Sequence, residues 1–254
     1  MLEGGGVVSI VGAGGKTSLM FRIARELIEA GESVLTTTTT KIEMPTKDQS
    51  PHVIQTASLE EILRKAKALL KNNLHISAVS KHDYFKMKLI GFKPEFIDDI
   101  WETALFNWIL VEADGASRRP LKAPSSHEPV IPKSTRWLIA VVGVDSVGKH
   151  LDERWVFRSE IYADITGLSL GEFVTASSIA TAVMHEGGVM KGCPREAMRF
   201  AFINKADIQG GLEAGREIVG YLKKIKSNLT RAAIGTALHE PFVIEYYDIN
   251  SIIK

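Results

Sequence analysis

The sequence predicts an α/β fold: a mainly parallel central sheet, flanked by helices in three layers. Three observations carry that prediction. Short apolar, β-branched runs alternate with longer amphipathic ones through the first half of the chain, the rhythm of strands joined by crossover helices. A glycine-rich stretch, "VGAGGKTSLM", links the first such run to the first amphipathic one. Two later apolar runs, "WILVEADGA" and "FAFINKAD", end in charged clusters, where a nucleotide site takes its carboxylates.

Taken in order, "VVSIV" (7–11) reads as the first strand. From Thr17 to Ala30 the apolar positions Leu19, Ile23, Leu27 and Ala30 predict a helix, closed by Gly31. "SVLTT" and "HVIQT" are the next strands; Ser58 then caps a helix through Leu70, with Glu61 completing a capping box. "LHISAVS" is another strand. The stretch from Lys81 to Asn107 is less regular and holds a helix started by Pro94 and running to about Ala104. "WILVEADGA" is a buried strand, and a Pro- and Ser-rich loop leads from it into the buried strand "WLIAVVGV". A largely helical region over Glu153–Glu186 follows, then the strand "RFAFINKAD", a helix over Leu212–Lys226 and a last strand, "AAIGTAL". Repeats and linkers are absent, so the expectation is one domain over 1–254 with a helical insertion at about 151–198.

Composition narrows the function classes. A chain of 254 residues can bury a sizeable core. Lys+Arg number 31 against 30 Asp+Glu, a formal net charge of +1, and aromatics are 7%. That balance argues against a nucleic-acid or membrane-surface partner. Cys193 is the single cysteine, which excludes an intramolecular disulfide and fits a reducing compartment. "MLEGGG" has no secretory pattern and "WLIAVVGV" is too short to span a bilayer. The expectation is a cytoplasmic protein.

The stretch Gly12-Ala13-Gly14-Gly15-Lys16-Thr17-Ser18 has the chemistry of a phosphate-binding loop. Backbone amides at a strand-to-helix turn meet anionic oxygens, and the helix N-terminus adds partial positive charge. Lys16 reaches the β/γ-phosphates and the Thr17 hydroxyl ligates Mg²⁺. The longer motif has a glycine five places before Gly15, where this chain has Ile10. The loop is therefore a compact variant, a spacing that resembles that of the Mur ligases.

A Mg²⁺–nucleotide site needs a carboxylate near the loop, and "WILVEADG" offers Glu112 and Asp114. Strand alternation places both on one side if the strand runs that far. Glu112 is the first choice for Mg²⁺ and Asp114 the second; a turn at Asp114-Gly115, with Glu112 paired to an arginine, is the alternative. In "TTTTTK", alternation puts Thr36, Thr38 and Thr40 on one side. Thr38 is a candidate for Mg²⁺ or phosphate, although threonine is equally a good strand former.

Asn204-Lys205-Ala206-Asp207 matches the guanine-reading Asn-Lys-x-Asp string. The Asp207 carboxylate would accept from the guanine N1 and N2 donors, which adenine lacks. An ordinary strand-to-turn connection with Asp207 capping a helix is the plainer reading.

With "VGAGGKTSLM", "VLTTTTTKI", "LVEADGASRRPLKAPSSHEPVIP", "GVDSVGKHL" and "NKAD" in view, the chain resembles the YqeC family across nearly its whole length. Members are described as accessory proteins of selenium-dependent molybdenum hydroxylases, involved in selenium-cofactor biosynthesis. The architecture resembles the P-loop NTPase class. The resemblance implies a molybdenum hydroxylase or another maturation factor as partner.

Other polar positions remain open. Arg118, Arg119 and Lys122 suit an anion clamp or a solvated basic loop. His127 and Glu128 form a polar corner between Pro124 and Pro129, and Asp145 ends a strand near Lys149 and His150. All three are candidates for a second substrate. Two functional classes follow. One is a Mg²⁺-dependent NTPase or phosphotransferase using GTP or ATP, with Lys16, Glu112, Asp114 and an arginine of 118–119 at the reacting phosphate. The other is a non-catalytic nucleotide-gated chaperone or carrier. An ATP-dependent ligase or kinase is the weakest alternative, because the chain has no room for the extra substrate domains of Mur enzymes.

Overall fold

The computed structural model describes residues 2–249. Its contacts group them into two compact units, 2–10 with 19–114 and 130–137, and 11–18 with 115–129 and 138–249.

The first unit is built on parallel pairing. β1 (Gly6–Gly12), almost all of it in this unit, is buried at every position. After it come α1 (Lys16–Glu29), β2 (Val34–Thr38), β3 (Lys41–Glu43), β4 (Val53–Gln55), α2 (Leu59–Leu69), β5 (His75–Val79), β6 (Lys81–Asp83), β7 (Lys88–Ile90), α3 (Pro94–Glu102) and β8 (Trp108–Glu112). The parallel ladder runs β1-β8-β2-β5-β4. β8 lies between β1 and β2, so both its edges are paired, and "WILVE" is buried throughout, as continuous apolar runs are in parallel sheets covered on both faces. Its last residue, Glu112, is in register with Ile10 of β1 and Thr38 of β2.

α1 buries Leu19, Met20, Ile23 and Ala24. It ends as its sequence demands: Gly31 adopts φ +84°, and the amides of Gly31 and Glu32 donate to the carbonyls of Ile28 and Leu27. This doubly bonded end needs a glycine, because other residues resist the left-handed conformation. Ser58 caps α2 through the Glu61 amide, but the expected capping box is only half formed. The Glu61 carboxylate accepts from Thr56 Oγ1 at 2.6 Å and pairs with Lys65 at 2.7 Å, while the Ser58 amide donates to Thr56. The irregular stretch after β5 contains an element the sequence did not reveal, an antiparallel sheet in the order β3-β7-β6. Strands of three residues are too short to show a period.

β5 contributes a buried titrating group. His75 is 5% exposed, with Nε2 3.0 Å from the Thr36 hydroxyl, and burial pushes its pKa from 6.5 down to about 4. The fold holds the neutral ring, whereas the unfolded chain takes up a proton below pH 6.5. This contribution is therefore complete above pH 6.5 and is lost progressively as the pH falls from there toward 4, by about 3 kcal/mol in all. Urea unfolding at pH 7 and pH 5 should show that loss, and His75→Gln should flatten the slope.

The second unit contains β9 (Leu121–Lys122), β10 (Thr135–Gly143, all but its first three residues), a 3-10 turn (Val144–Ser146), β11 (Val156–Phe157), α4 (Ser159–Thr166), α5 (Ala176–Met184), β12 (Met198–Asn204), α6 (Gly211–Lys224), β13 (Leu229–Gly235) and β14 (Val243–Asp248). The strands run β10-β12-β13-β14, with β12 and β13 parallel and β14 antiparallel to β13. β14 was not anticipated from sequence: its positions alternate between half-buried and exposed, the pattern of an edge strand without a strong apolar face. α5 packs on α4 and α6, and 151–198 otherwise consists mostly of turns. Among the described residues, no helix is long and apolar enough to cross a membrane.

Candidate functional site: a compact phosphate loop

In the second unit, the residues after Ile10 turn sharply into α1. Gly12, Gly14 and Gly15 have φ of +92°, +80° and +122°, a region that only glycine enters without strain. The Ala13 amide donates to Val141 O at 2.9 Å and the Gly14 amide to Arg119 O at 3.1 Å. Space is as restrictive as conformation. A Cβ at Gly12 would lie 2.3 Å from Val141 O, at Gly14 2.5 Å from Gly143 N, and at Gly15 2.2 Å from Asn204 Nδ2. The missing glycine of the longer motif is explained by the first unit. Ile10 is still β-strand there, fully buried, and its carbonyl accepts from the Ala113 amide. The strand runs on to Gly12, which leaves only 13–15 to make the turn.

Two of the amides expected to face phosphate are thus engaged with backbone carbonyls, a correction for Ala13 and Gly14. Gly15 and the opening of α1 are the candidates that stay for an anion. That helix begins at Lys16, so the amides of its first turn lie beyond the reach of its own carbonyls and its positive end points at the loop. Lys16 is 5% exposed and folds back to donate from Nζ to Gly12 O at 2.8 Å. The bond holds its ammonium against the glycine turn.

The Asn-Lys-x-Asp string is divided among different tasks. Asn204, 4% exposed, donates from Nδ2 to Gly14 O at 2.7 Å and accepts the Ala237 amide at Oδ1, 2.9 Å away. It ties the phosphate loop to the segment after β13. Lys205 is held at φ +67° and pairs with Asp145 Oδ2 at 2.6 Å. Asp145 sits on the 3-10 turn after β10. Its Oδ1 is buried and has no hydrogen bond among the described residues. Asp207 is exposed, 3.7 Å from His239, and the residue that caps α6 is Gly210, not Asp207. Asn204→Ala would leave the Gly14 carbonyl and the Ala237 amide without their buried partner, a loss of about 2–3 kcal/mol. Thermal unfolding should register this, with a smaller drop for Asn204→Asp, which keeps the acceptor.

The loop 115–129 differs from the sequence expectation. Lys122, read as a clamp for an anionic ligand, is 1% exposed and bonds Gly115 O and Glu128 Oε2, each at 2.6 Å. Glu128 also takes a forked pair of hydrogen bonds from Arg158, at 2.7 and 3.1 Å. Burial alone would raise its carboxyl pKa, but the hydrogen bonds from Arg158 and Lys122 outweigh that and lower it. Glu128 is therefore a structural counter-ion rather than a second-substrate group. Arg119 donates to the carbonyls of Glu153 and Ser117, at 2.8 and 2.9 Å, so it too serves the loop's own shape. Arg118 and His127 are exposed.

In the first unit, β8 ends at Glu112. Strand alternation therefore does not extend to Asp114, and the same-side argument for the two acids fails. Both are buried, Glu112 at 7% and Asp114 at 1% exposure. The threonine run serves packing. Thr36 bonds Ser77 at 2.6 Å, Thr37 donates to Ala78 O, Thr39 donates to Val130 O, and Thr38 donates to Glu112 O at 2.7 Å while accepting the Thr40 amide. Hydroxyls expected to serve Mg²⁺ or phosphate here bond protein atoms instead. No sequence signal marked the backbone groups of Val141, Pro120, Gly143 and Ala237, which shape the loop without using their side chains.

Comparison with known proteins agrees with the sequence resemblance. The family model described as "YqeC protein" matches residues 8–160. A relative from Escherichia coli (strain K12), the "Uncharacterized protein YqeC", is 38% identical over 205 residues, covering 78% of this chain and 75% of the relative. This chain belongs to the YqeC family. The family match contains the compact loop, β8 with its acids and the Lys122–Glu128 pair, and it ends before Asn204. Two solved structures are distantly similar. One is the MinC:MinD cell division protein complex of Aquifex aeolicus, at 13% identity and a TM-score of 0.46, covering 91% of this chain and 81% of that one. The other is a ParA family ATPase from Chlorobium tepidum TLS, at 13% identity and a TM-score of 0.45, covering 91% and 84%.

Proposed function

We propose that this protein binds a nucleoside triphosphate with Mg²⁺ at Gly12–Ser18, GTP in preference to ATP, and couples its hydrolysis or phosphoryl transfer to maturation of a selenium-dependent molybdenum hydroxylase. The observation that carries the nucleotide reading is the loop itself. Three positive-φ glycines, each without room for a Cβ, lead into a helix whose second residue supplies a hydroxyl and whose first supplies an ammonium. This is the backbone and side-chain set that holds a polyphosphate. The glycine turn, Lys16 and Thr17 support a phosphate with its metal, and Thr17 and Glu112 are the metal ligands that this reading takes from the sequence. Mg²⁺, when bound, would neutralise charge on the phosphate oxygens. Lys16 stabilises charge on the transferring phosphoryl group, and the end of α1 orients it. The hydroxylase connection rests on the family resemblance.

Arg119 favours a partner-dependent variant of this reading. With its guanidinium bonded to two carbonyls, transition-state charge would be met by a group from a partner, and the isolated protein would act as a nucleotide-gated carrier.

Calorimetric titration with non-hydrolysable GTP and ATP analogues in Mg²⁺ tests the proposal. Binding should be lost in Lys16→Ala, and Asp207→Ala should weaken GTP selectively, by about tenfold or more. Equal affinity for both analogues, unchanged in Asp207→Ala, would remove the GTP preference. No binding of either would sink the nucleotide reading.

A further inference from the structure

A second pocket lies in the second unit, and no residue of the phosphate loop lines it. It has a volume of about 300 Å³, and its lining includes His185, Glu186, Lys191, Cys193, Arg199 and Asn228. That is the lower end of the range for small-molecule sites, about 300–1,000 Å³. Its chemistry is uneven. Val183, Met184 and Met190 supply an apolar wall, whereas nitrogen donors dominate the rest of the lining.

The decisive feature is Arg199. Its Nε is buried without a hydrogen bond, and among the described residues its guanidinium takes part in no hydrogen bond or ion pair. A guanidinium whose buried face has no partner is costly, because desolvation has not been offset. The backbone beneath it is not loose. The β12–β13 register shifts at Arg199/Phe200, and Thr230 fixes the Arg199 carbonyl at 2.7 Å through its hydroxyl. Irregularities of this kind re-aim a side chain and are typical beside sites. Around Arg199, Lys191 commits Nζ to Ser125 O and Ser126 O at 2.6 and 3.2 Å, which leaves one of its three protons. His185 accepts the Gly187 amide at Nδ1, 3.1 Å away, which leaves Nε2 as the ring nitrogen able to donate. Asn228 adds an amide. Glu186 is the one carboxylate in the lining, and it is exposed.

We propose that this pocket binds a compact organic oxyanion, a carboxylate or phosphate on a small apolar body, with Arg199 as its principal receptor. The planar fork of the guanidinium matches either oxyanion in two parallel hydrogen bonds. The two methionines supply an adaptable apolar surface for the attached body.

Cys193, free and half-buried on the pocket wall, gives a direct readout. The probes are n-butyrate, methyl phosphate and the neutral isostere butyramide, and the measurement is the rate of Cys193 alkylation by iodoacetamide. At saturation one of the two anions should slow alkylation about tenfold, and which one does so identifies the head group. Butyramide should not protect, and Arg199→Gln should abolish protection. Asn228→Asp, which adds a repelling carboxylate and leaves Arg199 in place, should also abolish it, and serves as the deciding variant if Arg199→Gln fails to fold. Protection by butyramide, protection that persists in both variants, or none by either anion would overturn the proposal.

Discussion

Gly14→Ala is expected to abolish nucleotide binding and to lower stability by about 3 kcal/mol or more. Two penalties add at this position. Its φ of +80° is left-handed, which costs any L-residue about 1 kcal/mol. The new Cβ would also lie 2.5 Å from Gly143 N, 2.7 Å from Pro120 O and 2.8 Å from Gly143 Cα. All three are backbone atoms of segments that the loop is bonded to, so no flexible side chain can give way. Two other glycines provide internal comparisons. Gly15→Ala meets the side-chain amide of Asn204 at 2.2 Å; that group can rotate, at the expense of its bond to Gly14 O, so the stability loss should be smaller while binding still suffers. Gly31→Ala has nothing within 4 Å, and only the conformational penalty at the end of α1 remains. Urea unfolding of the three variants should rank them Gly14, Gly15, Gly31, and calorimetry should find nucleotide affinity unchanged only in the last.

Glu128→Ala is expected to destabilise the fold by about 3–5 kcal/mol, because it strands a buried charge. The Lys122 side chain has 0% exposure and that of Glu128 17%. Without the carboxylate, the ammonium loses its anionic partner while its bond to Gly115 O stays, and Arg158 loses both of its hydrogen bonds to Glu128. Glu128→Gln keeps the shape and should cost less. Lys122→Met combined with Glu128→Leu removes both buried charges and should recover part of the loss, the behaviour expected of coupled partners. The same pair gives an acid dependence. Because the folded carboxyl has a lowered pKa, its contribution is present above the unfolded carboxylate value and is lost as the pH falls through the folded one. Thermal unfolding between pH 7 and pH 3 should show that loss in the wild type and a weaker one in Glu128→Gln.

The two variants also separate what could be read along the chain from what could not. β1 and β8 were legible because strands covered on both faces need uninterrupted apolar runs, and "VVSIV" and "WILVE" have them. α1 was legible because its apolar spacing and its glycine stop agree. The antiparallel β3-β7-β6 sheet and the edge strand β14 were not, because three-residue strands and half-exposed edges impose no strong pattern. Lys122 is the sharper case. A lysine after two arginines resembles a solvent-facing cation, and only packing shows it buried against Glu128, six residues along the chain. Asn204 shows the opposite: the tetrapeptide drew attention to it as part of a base reader, and the structure adds a brace between the loop and the segment after β13.

By itself the sequence determined the parallel α/β frame, the compact glycine loop and the helix that follows it. Each depends on local rules: burial on both strand faces, positive φ at glycine, and spacing along a helix. Only the tertiary structure decided which polar groups are available to a ligand. The amides of Ala13 and Gly14, the threonine hydroxyls, Lys122, Glu128 and Arg119 all have the right chemistry for one, yet each bonds a protein group instead. The reason is physical: a buried donor or acceptor must find a partner, and many of those partners lie tens of residues away in the chain, where no local pattern can announce them.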